Sequence, residues 1–160
     1  MSSLLEQENI SQPDAIARLL DRETQHIAAI VSHLPAFNYV LHCQGCHLED
    51  GAGTPGSGIP ALAGSVGRFL RVRAGREYLT RVPGVAQAAL DDAALAELLN
   101  WLVRRFSAAE LPPDFVPYTT EEIARGRHLP LTDVEGTRRK LMKEIADGEE
   151  AAVGVPPVRH

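Results

Sequence analysis

Residues 37–50 read Phe37-Asn38-Tyr39-Val40-Leu41-His42-Cys43-Gln44-Gly45-Cys46-His47-Leu48-Glu49-Asp50. The two cysteines in this stretch are the only ones in the chain of 160 residues. They stand three apart with a histidine directly after the second, an arrangement whose chance occurrence is on the order of one in two thousand. Two thiols on one helical turn can form thioethers with both vinyl groups of a single haem, and the adjacent histidine then reaches the iron from the same side. The same cysteine spacing serves in thioredoxin-like dithiols, but those need a βαβ context that this sequence lacks. A structural zinc site would need two more soft ligands, and there is no second cysteine pair. The stretch therefore predicts one covalently attached haem c, with Cys43 and Cys46 as attachment points and His47 on the iron.

Composition agrees with a small folded domain that holds a cofactor. Hydrophobic residues make up 44% and charged residues 23%, which excludes wholesale disorder. Aromatics are only 5%, so a core made of protein alone is short of large anchors, and a bulky cofactor can supply them. The net charge of −5 argues against a nucleic-acid binder. No apolar run approaches the roughly 20 residues of a membrane span. Haem c is attached outside the cytoplasm, so the reading is periplasmic or otherwise extracytoplasmic. Residues 1–30 show no basic segment followed by an apolar run, so the export signal is either removed ahead of Met1 or replaced by another route.

Three regions follow outward from the cysteine pair: an N-terminal helical extension (1–35), a central haem domain (36–106) and a C-terminal extension with a loose tail (107–160). In the first, helical apolar spacing predicts one or two short helices beginning near Pro13-Asp14 and closed by Pro35. In the second, Phe37 to Leu41 predict a short helix into the cysteines, and Gly51 to Gly58 a glycine-rich loop without the phosphate-binding pattern. A helical stretch comes next, around Val66–Val72. The clearest helix spans Asp92–Phe106, capped by Asp91, with an apolar stripe of Leu95, Leu98, Leu99, Leu102, Val103 and Phe106. Trp101 beside that stripe reads as ordinary core. In the third region, residues 111–118 predict an extended segment wrapping back, Thr119 or Thr120 caps a helix, and a final amphipathic helix runs from about Thr132 to Ala146.

These residues resemble the class I c-type cytochromes. The resemblance covers about residues 36–106 and rests on Tyr39, Cys43-Gln44-Gly45-Cys46-His47, the glycine-rich loop, Ile59-Pro60-Ala61-Leu62, and the late helix with Leu98, Trp101 and Leu102. It implies an all-α fold wrapped around the haem, and a hydrogen bond from His47 to the backbone carbonyl of Pro60 that fixes the imidazole tautomer. The terminal extensions are not explained by it. The family usually places a methionine as sixth ligand in a loop before the last helix. Here that stretch, Tyr78 to Gln87, holds none, and Val85 stands where the sulfur would be sought. Three possibilities follow: an iron that is five-coordinate or carries water beside Val85; a histidine ligand among His26, His33, His42 and His128; or Met142 folding back from the C-terminal helix.

Residues 68–81 hold Arg68, Arg71, Arg73, Arg76 and Arg81 against Glu77 alone. One or two of them, with Arg68 and Arg71 the candidates, are expected to bind haem propionates, and the others to face solvent or an acidic partner. The leading functional reading is an electron carrier, or an electron-transfer subunit of an oxidoreductase, that docks on a redox protein partner and is not itself an enzyme. The alternative is a five-coordinate haem c protein that binds CO or NO or reacts with peroxide. Residues 48–127 contain no histidine, which argues against an efficient peroxidase.

Overall fold

A computed structural model describes residues 12–32, 34–129 and 131–153. Among the described residues every regular element is helical, and the one β-type pairing is an isolated bridge between Thr54 and Ile59. The order is α1 (Gln12–Ser32), α2 (Pro35–His42), α3 (Gln44–His47), a 3₁₀ turn at Val66–Arg71, α4 (Arg73–Arg81), α5 (Pro83–Ala86), α6 (Asp92–Ser107), α7 (Thr120–Arg127) and α8 (Val134–Val153).

Helix α6 is the spine. The Asp91 side chain accepts a hydrogen bond from the Ala94 amide at 2.8 Å and so satisfies one of the orphan donors of the first turn. Leu95, Leu98, Leu99, Leu102, Val103 and Phe106 are all buried along one stripe, and α2, α7 and the 3₁₀ turn pack against this helix. Each residue buried there removes roughly 2 kcal/mol worth of apolar surface from water. Most of the stability of the short helices around α6 comes from this contact, because helices of eight or nine residues are marginal alone.

Several local expectations are revised by the structure. The N-terminal stretch forms one helix of 21 residues. Pro35 opens α2 instead of closing the helix before it, since a first-turn proline forfeits only an amide that has no helical partner. The stretch after Ser65 is a 3₁₀ turn. The last helix begins at Val134, with the Asp133 carboxylate accepting from the Gly136 amide, and continues through Gly148 to Val153. Residues 1–11, His33, Pro130 and 154–160 lie outside the described part.

The C-terminal segment joins the same core: Tyr118, Ile123, Leu141 and Ile145 are buried in one cluster with the α6 residues. The connection before α7 contains Pro112, Pro113 and Pro117, whose missing amides rule out a regular ladder, so its carbonyls need side-chain donors. Arg76 supplies them, donating to Val116 O at 2.7 Å and Pro117 O at 3.0 Å. Asn100 of α6 bonds both the amide and the carbonyl of Tyr118, at 2.7 and 3.0 Å. Arg76 also grips Glu122 through two bonds of 2.7 and 2.8 Å. The same carboxylate completes a capping box with Thr119.

The hydrogen bond from Arg76 holds the Glu122 carboxyl below its usual range. A carboxylate depressed in the folded state contributes stability above its unfolded pKa and loses that contribution as pH falls through the folded value. We expect Glu122→Gln to cost about 2 kcal/mol at pH 7 in urea denaturation. The difference from the wild type should shrink steadily once the pH passes below the ordinary carboxylate range.

Candidate functional site

The site begins with a ring buried between two helices. Tyr39 of α2 is 2% exposed and packs on Phe106 and Trp101 of α6, with ring centroids 4.9 and 5.7 Å away. Its hydroxyl donates to the carbonyl of Leu48 at 2.5 Å. Burial pushes the Tyr39 phenol up to about 12, so it remains a donor throughout the physiological range. Leu48 is a non-glycine residue at φ +64°, ψ 170°, a region of sterically costly backbone. The Tyr39 bond and the Leu48 amide bond to Gln44 O, at 2.8 Å, hold it there. The chain is thereby turned sharply directly behind His47.

Helix α3 is the single turn that carries Cys43 at its cap, then Cys46 and His47. Cys43 is half-buried, Cys46 is exposed, and the two thiols are not joined. Burial, with Cys46 close by, pushes the Cys43 thiol up to about 11. His47 is half-buried, and its Nδ1 lies 3.1 Å from the carbonyl oxygen of Pro60. Burial lowers the imidazole pKa, the Pro60 contact opposes this, and the charge of Arg138 lowers it further. The ring is therefore neutral near pH 7 with Nδ1–H donated to Pro60, which leaves Nε2 as a free lone pair.

The glycine loop lets this contact form. Gly53 has φ +67° and donates its amide to His47 O at 3.0 Å. A Cβ on Gly53 would lie 2.5 Å from Pro60 O, the same oxygen that meets His47. Only glycine combines that dihedral with so close a backbone approach. Two thiols and an imidazole with one uncommitted nitrogen on one turn suit a covalently tethered, nitrogen-ligated haem. Among the described residues no cluster of three or more His, Cys, Asp or Glu side chains could grip a bare metal ion.

The structure gives the other anticipated residues varied surroundings. Arg68 and Arg71 both bond Glu149 of α8, at 2.5 Å and 2.7 Å, and Arg71 also donates to Glu110 O. Val85 lies on α5, half-buried against the core. His26 and His128 are exposed, His42 is half-buried at the end of α2, and His33 lies outside the described residues. Met142 is half-buried on α8 and packs on the core.

Two arginines make long-range contacts that the residue order does not announce. Arg138 of α8 lies over the Phe69 ring at 5.1 Å, hydrogen-bonds Tyr78, and is close enough to His47 to act on its titration. Arg127 of α7 spans the whole connection between α5 and α6. It donates to the carbonyls of Ala86, Ala88 and Leu90 at 3.2, 2.6 and 2.8 Å, and to the Asp92 carboxylate at 3.0 Å. Both come from the C-terminal segment, and no spacing within the sequence links them to residues some 40 or 90 positions earlier.

Two substitutions measure these constraints. Gly53→Ala should lower stability by more than about 2 kcal/mol through backbone strain and collision with Pro60, read as a shift of the denaturation midpoint. Arg127→Met should cost about 2–4 kcal/mol, because three part-buried carbonyls and a carboxylate lose their donor together.

No family model matches the chain. Two curated relatives do, both cytochrome c-552 of Thermus thermophilus, the second from a specified strain of that organism. Each is 34% identical over 119 residues, covering 62% of this chain and 90% and 80% of the respective relatives. That coverage, an all-helical fold and a Cys-x-x-Cys-His turn agree with one another: the chain belongs to the c-type cytochromes, all-α proteins with covalently attached haem c.

Proposed function

We propose that this protein is an extracytoplasmic electron carrier, or the electron-transfer subunit of a larger oxidoreductase, with its haem held by Cys43, Cys46 and His47. The observation that carries the reading is the His47–Pro60 contact on the same turn as the only two thiols. When bound, the haem supplies one-electron chemistry at its iron. The chain's own residues do the rest. The thiols of Cys43 and Cys46 would hold the haem as thioethers, each S–H adding across one vinyl double bond. His47 would hold the iron through Nε2, with Pro60 accepting its Nδ1–H, which fixes the tautomer and would make the ring a stronger donor. Tyr39 and Leu48 hold the backbone behind it. Gly53 brings the Pro60 carbonyl within reach.

The extended role of α8 bears on the sixth position. Arg138 and Met142 are four residues apart and share a face of that helix. Through Arg138 that face reaches Phe69 and Tyr78. Met142 is half-buried against the core whereas His26 and His128 are exposed, and we take it as the candidate sixth ligand. Arg68 and Arg71 are occupied by Glu149, so a propionate would have to compete with an existing carboxylate for either of them. No described helix is long and apolar enough to cross a membrane, and docking on a redox partner protein fits this reading.

A second reading is favoured by the connection between α5 and α6. It contains neither methionine nor histidine, and Arg127 pins it through three carbonyls. An iron beside Val85 would then lack a protein ligand there and could bind CO or NO. Absorption spectra of the purified holoprotein, oxidised and reduced, before and after CO, separate the two. A low-spin spectrum unchanged by CO is expected for the carrier, and Met142→Ala should convert it to a CO-binding form. A high-spin spectrum shifted at once by CO in the wild type would transfer the assignment to gas binding.

A further inference from the structure

Helix α1 carries an apolar face that no described element covers. Ile16, Leu19, Leu20, Ile27 and Ile30 fall within about 100° of arc on the helix, and each is between 54% and 63% exposed. Leu34 at the cap of α2, with Phe37, Val40 and Leu41 along it, is likewise 43% to 60% exposed. We propose that this face pairs with a second copy of the chain, giving a two-fold symmetric dimer built on α1.

The area fits that occupant. Nine side chains about half exposed, at roughly 100 Å² each, offer on the order of 800–900 Å² per chain. A stable interface buries about 800 Å² per partner, and the largest apolar patch on an ordinary monomer is about 300–600 Å². The spacing fits as well. Ile16, Leu20, Glu23, Ile27 and Ile30 alternate in steps of four and three, the seam of a two-stranded coiled coil. A parallel, in-register pair would stack the two Glu23 carboxylates on each other. An antiparallel register that sets Leu20 against Ile30 of the second copy places Glu23 beside Ile27 and His26 of that copy, so the seam is self-complementary. A lipid surface fits less well. Along α1, Asp14, Asp21 and Glu23 outnumber Arg18 and Arg22, whereas helices that lie on anionic membranes present a basic face. Because α2 leads directly into Cys43, pairing here places the two attachment turns in one particle, whichever residue completes the iron.

Sedimentation velocity of the holoprotein, from about 1 to 100 μM, tests the proposal. The wild type should sediment with twice the mass of one chain. The double variant Leu20→Lys/Ile27→Lys should sediment as a single chain, its dissociation constant raised at least about a hundredfold. Both positions are exposed, so the haem absorption spectrum should be unchanged; Ile16→Lys/Ile30→Lys is a second, independent pair. A wild type that stays single-chain over the whole range overturns the proposal. So does a dimer that survives both double variants. A single-chain wild type that co-sediments with phosphatidylcholine–phosphatidylglycerol vesicles would assign the face to lipid instead.

Discussion

The Tyr39 ring packs on Phe106 and Trp101, which also meet each other, and its hydroxyl donates to the Leu48 carbonyl. The apolar body of the ring joins the buried stripe of α6, and its polar tip ends at the strained turn behind His47. One side chain therefore links the core to the turn that carries His47. The direction of the linkage matters. Burial of aromatic area on α6 provides the favourable energy, and part of it holds Leu48 in a backbone conformation that costs about 1–3 kcal/mol. Strain of this kind persists only where surrounding packing fixes it, and here it re-aims the chain so that Gly53 and Pro60 come back to His47.

The His47 environment follows from that turn. A half-buried imidazole with one nitrogen committed to a backbone carbonyl is restricted in tautomer and in ring rotation. Its lowered pKa, caused first by burial, keeps it neutral and so able to act as a ligand before any cofactor is considered. The thiols on the same turn differ in exposure, Cys43 half-buried and Cys46 exposed, while their spacing of three residues keeps them on one face of the turn.

Arginine does much of the long-range assembly. Arg76 holds the proline-rich connection and α7, Arg127 holds the link into α6, and Arg68 with Arg71 holds α8 through Glu149. Each guanidinium satisfies carbonyls or carboxylates that irregular backbone would otherwise leave unpaired. A chain with few aromatics thus fixes its non-helical segments with planar cationic donors. The consequence for function is that the C-terminal segment is part of the haem domain's surroundings: through Arg138 it reaches Phe69, Tyr78 and the vicinity of His47.

Local chemistry was legible from the residue order alone. The Cys43–Cys46–His47 turn, the Asp91 cap and the stripe of α6 all rest on spacings of three and four residues, which a helix converts directly into a shared face. The link from His47 to Pro60 needed a family resemblance, because thirteen positions separate them and only the fold of the glycine loop closes that distance. Pro35 opens α2 although the sequence reads it as closing the helix before, because a proline ends one helix and begins another equally well and the choice depends on what α2 packs against. Arg127, Arg138 and Glu149 left no trace in the sequence: a charged residue on a helix reads as solvated until the tertiary structure brings an opposing group to it. The sequence determined the turn that sets Cys43, Cys46 and His47 together. Packing across α6, which sums contacts between residues far apart in the chain, decided what surrounds it.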